Sequence, residues 1–203
     1  LAELAAACVE PELVEDLRQL LAQVDPRTEP IRWGECALQL ARTLPNTIGS
    51  DNGHALQEAV DLQATAIALL EARQSDFSHA LHLVEQGETL VRLIQYTDGT
   101  HLRLGMRILD NARAMVADIA DSSQKAMVLY ELGDAYRVLP GNGLDNLHFA
   151  LESLFAALEL ASEANAPQLL AEISDSLGLA LLYAPTINRQ AMLERAAGLF
   201  DHA

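Results

Sequence analysis

The chain has 203 residues, half of them hydrophobic and only 4% aromatic, with 13 basic against 29 acidic residues and a formal charge of −16. That hydrophobic share is enough for a continuous core, which excludes a disordered segment and fits one domain or a short array. The carboxylate excess disfavours nucleic acid, whose phosphates need Lys and Arg, and suits either a basic partner or simple solubility.

From the N-terminus onward, apolar residues recur at three- and four-residue spacing, and no alternating strand pattern interrupts them. The pattern predicts helices over 11–24, 31–45, 52–73, 77–96, 100–119, 122–139, 144–164, 167–184 and 188–203, with a shorter one at 1–8. The seven prolines fall between these stripes or near their ends, as helix punctuation. No run approaches the eighteen apolar residues of a membrane span, and no basic segment followed by an apolar stretch opens the chain. Cys8 and Cys36 are the only cysteines and form no C-x-x-C pair. They read as small buried hydrophobes in a reducing compartment, so a cytoplasmic location is expected. The chain opens on Leu1 and closes inside a helical pattern at Asp201–His202–Ala203, as expected of a piece of a longer protein.

Comparing the helices exposes a period. Ala41, Gly87, Gly133 and Gly178 stand 46, 46 and 45 residues apart, each followed three positions later by a large residue, Leu44, Leu90, Tyr136 and Leu181. In the helices that follow, Ala59, Gly105, Ala150 and Ala196 step by 46, 45 and 46 residues, with Ala66, Ala112, Ala157 and Ala203 seven positions on. Between the small pairs stand Gln63, Leu109, Leu154 and Phe200, so Gln63 alone breaks that column. Small residues seven apart leave two gaps on one helix face into which a neighbouring helix settles. A helix hairpin of about 45 residues cannot bury both of its faces alone, so copies stack. The copies run approximately over 31–73, 77–119, 122–164 and 167–203, and extrapolation backwards puts Leu13, Leu17 and Leu20 in the second-helix column of a partial copy over 1–24.

Small then large three later, followed by Ala seven before Ala, resembles the tetratricopeptide repeat. Leu132–Gly133 with Tyr136, then Ala150, Leu154 and Ala157, carry the likeness most fully. The period is near 45 rather than 34, and the additional length sits at Pro45–Asn52, Gln95–Thr100, Pro140–Asn146 and Pro185–Asn188 or in the helices themselves. The resemblance implies an all-α fold, a right-handed superhelical array of antiparallel helix hairpins of the tetratricopeptide-like α-solenoid kind, forming a single helical-repeat domain. In the loop after Pro140, Gly141 and Gly143 permit left-handed backbone, and Asp145 or Asn146 is placed to cap the next helix, as are Asp51 or Asn52 and Asn188.

Motifs for chemistry are sparse. His79 and His82 share a helix face near Glu85, which falls short of a metal site, and helix carboxylate pairs such as Glu12 with Asp16 or Asp118 with Asp121 read as solvated charge. No cofactor is called for. By position, the resemblance places Arg42, Glu88, Arg92, Tyr130, Asp134, Arg137 and Tyr183 on a concave first-helix face, with Leu38, Val84 and Asp175 beside them. The expectation is a non-enzymatic interaction scaffold or sensor segment that binds a peptide or partner helix, including another domain of the same parent protein, and self-association through end helices is a further expectation. The alternative is a regulatory helical domain that binds a small molecule or nucleic acid and controls an attached effector. A helical enzyme would instead need a buried carboxylate pair facing a cavity.

Overall fold

A computed structural model describes residues 10–47, 52–71, 74–97, 100–140, 143–183 and Glu194. Among them are eight helices and no strand: α1 (Pro11–Ala22), α2 (Pro30–Thr43), α3 (Asn52–Leu70), α4 (Asp76–Leu93), α5 (Thr100–Met115), α6 (Ser122–Val138), α7 (Gly143–Glu163) and α8 (Pro167–Tyr183). They correspond to the eight stripes predicted between 11 and 184. The expected helices at 1–8 and 188–203 lie outside the described residues. The stripes ending at 96 and 119 overran the α-helix because α4 and α5 give way to tighter 3₁₀ turns, Ile94–Tyr96 and Val116–Asp118.

Local chemistry fixes the helix ends. Proline stands in the first turn of α1 and α2 and opens α8 as its first residue, where a missing N–H costs nothing. Asp121 caps α6 by accepting from the Gln124 amide at 2.8 Å. Helix α7 stops at Asn165, whose φ of 52° is left-handed. The Ala166 amide then bonds the Ala161 carbonyl and the Asn165 amide bonds that of Ser162, a Schellman closure that hands the chain directly to Pro167.

The expected cap at Asp145 or Asn146 is corrected. Helix α7 starts two residues earlier, so both lie inside its first turn, and the buried Asn146 amide reaches back 3.2 Å to the Leu139 carbonyl that ends α6. One copy earlier, His101 stands at the matching position and touches Thr97, whose hydroxyl donates to the Leu93 carbonyl. Leu93 and Leu139 are themselves 46 residues apart, so the same carbonyl is satisfied in both copies by different side chains. Asp51, Asn188 and the loop residues Gly141 and Asn142 lie outside the described residues.

The helices pack as sequential antiparallel pairs. Their contacts divide into two compact units, one comprising residues up to Ser75 with Glu85–Arg107, the other Asp76–Val84 with Ile108 onward. In the first, α2 pairs with α3, and Ala37 and Leu38 share a cluster with Ala66 and Leu70. In the second, α6 pairs with α7 and α7 with α8, and Ala126 shares a cluster with Ala157, Ala161 and Ile173.

The small columns mark where paired helices come closest. A Cβ on Gly133 would stand 2.6 Å from Leu154 Cγ and 3.2 Å from the Ala150 carbonyl oxygen, and one on Gly105 would stand 3.3 Å from the Gly87 carbonyl oxygen and from Leu90 Cβ. Gly87 with Gly105, and Gly133 with Ala150, are thus facing pairs inside the two compact units. Ala59, Ala66, Ala112, Ala150 and Ala157 are fully buried, as are the large residues Leu90 and Leu154, while Leu44, Tyr136 and Leu181 are nearly so. A third small column went unread in the sequence: Gly34, Ala80 and Ala126 stand seven residues before the first, and a Cβ on Gly34 would stand 2.8 Å from Leu70 Cγ.

Candidate interaction surface

The outward residues of the first helices fall into two groups, one in each compact unit. In the first unit, Arg42 on α2 forks onto Glu85 on α4, with Nε 3.1 and 3.2 Å from the two carboxylate oxygens and Nη2 2.8 Å from Oε1. Glu85 therefore serves a guanidinium rather than joining His82 around a metal. Among the described residues, no three His, Cys, Asp or Glu side chains converge on one point. Arg92, near the end of α4, is exposed and forms no ion pair among the described residues. It lines a cleft of about 130 Å³ with Pro45, Asn52, Leu56, Gln95 and the half-exposed Tyr96. Glu88 is half-buried on the same helix.

In the second unit Arg137 and Asp134 pair within α6, at 3.0 Å from Nε and 2.7 Å from Nη2 to the same carboxylate oxygen. The Ser176 hydroxyl on α8 donates to that oxygen at 3.0 Å. Tyr130, one turn earlier, is half-buried. Burial pushes its phenol up to about 12, with the nearby carboxylates of Glu131 and Asp134 adding to the rise and a hydrogen bond with Ser176 opposing it. It is therefore a neutral hydrogen-bonding group at any physiological pH.

Of the residues expected on this face, Arg42, Glu88, Arg92, Tyr130, Asp134 and Arg137 all sit on first-type helices with at least part of the side chain accessible. Leu38 and Val84 do not belong there: both are buried in the core, Leu38 in one cluster with Ala66 and Leu70. Tyr183 ends α8, and its side chain lies outside the described residues. Sequence reasoning missed Glu85 and Ser176 as partners, although a signal existed. Arg42 to Glu85 is 43 residues and Asp134 to Ser176 is 42, each just short of one period, the offset expected for neighbours on successive first helices.

A second depression, wide and open, lies along α2 and α3 of the first unit. It is lined by Trp33, His54, Gln57, Glu58, Asp61, Leu62 and Thr65, and its two carboxylates make it a poor receptor for an anion. The carboxylates weighed for acid–base chemistry, Glu12, Asp16, Asp118 and Asp121, are all exposed. No helix among the described residues is long and apolar enough to cross a membrane. No protein-family model matches the chain, and no curated protein matches it.

Proposed function

We propose that the chain is a tetratricopeptide-like interaction scaffold of an intracellular protein, coiled as a right-handed superhelix, that receives a peptide or partner helix along its first-helix face. The observation that carries this reading is the recurrence, in both compact units, of charged and polar bonds between successive first helices, Arg42 to Glu85 and Ser176 to Asp134. These bonds hold a mixed-sign surface rigid above a core of small residues, and a rigid surface loses less entropy when it binds. Arg92, exposed and without an ion pair among the described residues, supplies a cation beside the apolar and hydrogen-bonding edge of Tyr96, suited to an acidic side chain followed by an apolar one.

A small-molecule receptor is the weaker reading. The cleft at Arg92 holds about 130 Å³, against roughly 300–1,000 Å³ for ordinary ligand sites, and the depression along α2 and α3, at about 570 Å³, is large enough but lies wide open to solvent. The test is selection of peptides from a displayed library on the wild-type chain, followed by fluorescence polarisation with an Arg42→Glu, Arg92→Glu, Arg137→Glu variant that keeps its helical circular dichroism. The expected result is at least a tenfold loss of affinity in the variant. Unchanged affinity moves recognition off the first-helix face.

A further inference from the structure

The wide depression along α2 and α3 joins an aromatic ring to two carboxylates and uses none of the arginines of the first-helix face. Trp33, the chain's single tryptophan, is half-buried and packs with Leu21 and Leu62 against the cluster of Ala37, Leu38, Ala66 and Leu70. Glu58 is held by Arg18 of α1, with Nε 3.1 Å from Oε1 and Nη2 2.6 Å from Oε2. Asp61, one turn on, is exposed; its Oδ1 accepts from the Gln57 amide at 3.1 Å, and it forms no ion pair among the described residues.

The repeat does not call for this set. The positions matching Trp33, Glu58 and Asp61 carry His79, Leu104 and Arg107 one period on, then Lys125, Phe149 and Glu152. The repeat also leaves the outward position to solvent each time: Asp61, Arg107 and Glu152 are all exposed, so no described helix covers it. Nor does the Trp33 end owe its openness to where the described residues begin. Leu21, in the Trp33 cluster, stands eleven residues beyond Glu10, about 16 Å along the helix, and the turn from α1 to α2 is described throughout.

We infer that this depression receives a basic side chain of an extended peptide, its cationic head between the Trp33 ring and the Asp61 carboxylate. Indole offers the strongest aromatic face for a cation, and a carboxylate beside it supplies a charge-assisted hydrogen bond. The formal charge of −16 draws such a peptide from a distance. Openness decides for a peptide over a free amine: the depression holds about 570 Å³ but encloses little, so a small ligand keeps most of its surface in water, whereas a peptide continues along α3. An inorganic cation fits poorly, because Glu58 already serves Arg18 and no three ligating side chains converge among the described residues. A second copy brings the same negative charge and is repelled.

The probe is a short peptide of alternating serine and arginine, alongside the same peptide with neutral citrulline in place of arginine. Binding is read by the emission of Trp33, which reports this depression alone, and by the anisotropy of a labelled copy. The chains compared are wild type, Asp61→Asn, Trp33→Leu and Glu152→Gln, the last removing an exposed carboxylate at the matching position two copies on. The expected result is saturable binding of the arginine peptide with a change in Trp33 emission at the same midpoint. Binding weakens several-fold in Asp61→Asn and in Trp33→Leu, stays near wild type in Glu152→Gln, and weakens several-fold for the citrulline peptide. Asp61→Asn, a surface change, decides the case if Trp33→Leu loses its helical circular dichroism. Absence of binding, unchanged Trp33 emission at saturation, equal binding of both peptides, or equal weakening by Asp61→Asn and Glu152→Gln overturns the inference. Free arginine amide binding as tightly as the peptide assigns the site to a small cation and overturns it equally.

Discussion

Each compact unit carries one polar intrusion in a packing column, and the two are resolved differently. In the first, Gln63 replaces the leucine found at Leu109 and Leu154, is 2% exposed, and donates to the Thr89 hydroxyl 26 residues ahead at 3.2 Å. Its carbonyl oxygen has no partner among the described residues. In the second, Tyr136 replaces the leucine found at Leu44, Leu90 and Leu181, and its hydroxyl donates to Asp110, 26 residues behind, at 2.9 Å. Its ring also packs on Phe149, over which the Arg113 guanidinium lies at 4.6 Å. Both bonds join a second helix to the first helix that follows. The phenol reaches the exposed Asp110 at the rim and is satisfied, whereas the amide stays in the core and is satisfied on one side only. A long side chain with one polar tip suits this array better than a short one with two polar atoms.

The largest effect follows from moving the first unit's arrangement into the second. Leu109→Gln places an amide where the residue 26 positions ahead is Ala135, which has no hydroxyl to receive it. The expected loss is about 3 kcal/mol by urea denaturation, from lost apolar burial plus an unmet polar group. A loss below about 1 kcal/mol would show that the core adapts to an amide without Thr89.

The glycines divide the units next. Gly133→Ala forces a Cβ to 2.6 Å from the buried Leu154 and is expected to cost about 1–2 kcal/mol, while Gly105→Ala meets its nearest atoms at 3.3 Å. There the gain in helix propensity of about 1 kcal/mol offsets the crowding, leaving the variant near wild type. Equal effects at the two sites would remove the distinction between them.

Tyr136→Phe is expected to cost about 1 kcal/mol, the typical worth of a hydrogen bond, with no effect on Trp33 emission in the native state. Alkaline pH probes the same unit. Burial first, and the hydrogen bond to Asp110 second, raise the Tyr136 phenol, and Tyr130 is raised to about 12. Below pH about 10 both phenols are protonated whether folded or not, so their contribution is whole. As pH climbs from about 10 toward 12 the unfolded chain ionises first, and that contribution is lost. Helicity should therefore melt at lower urea at pH 11 than at pH 8, with a smaller change in the Trp33 signal, which reports the first unit. A pH-independent midpoint would count against the buried phenols.

The smallest effect is a gain. Gln63→Leu restores the column and is expected to stabilise by about 1 kcal/mol, since Thr89 keeps its own bond to the Glu85 carbonyl. Destabilisation would show that the amide contributes more than its unmet oxygen costs.

The elements were legible because each carries its own stripe and its own stop: Pro30 and Pro167 open helices, and Asp121 caps one. The repeat was legible because small residues are costly to replace where helices meet. Side-chain roles at the surface were less so. Leu38 and Val84 occupy positions that the tetratricopeptide resemblance assigns to the groove, but an apolar residue that can reach the core does so. Arg42 and Asp134 were identified without their partners, because Glu85 and Ser176 are distant in sequence and adjacent only through stacking. Asn146 looked like a cap because Asn is common there, and the carbonyl it serves lies across a loop.

The most direct test of the architecture is a double-mutant cycle between Gly133 and Leu154, measured by urea denaturation. If the glycine exists to admit Leu154, Gly133→Ala destabilises the wild-type chain but becomes neutral or stabilising once Leu154→Ala has cleared the space, a coupling of more than about 1 kcal/mol. Additive effects would mean that the two helices do not meet at these small positions, and the account of the hairpins as stacked copies would fail with them.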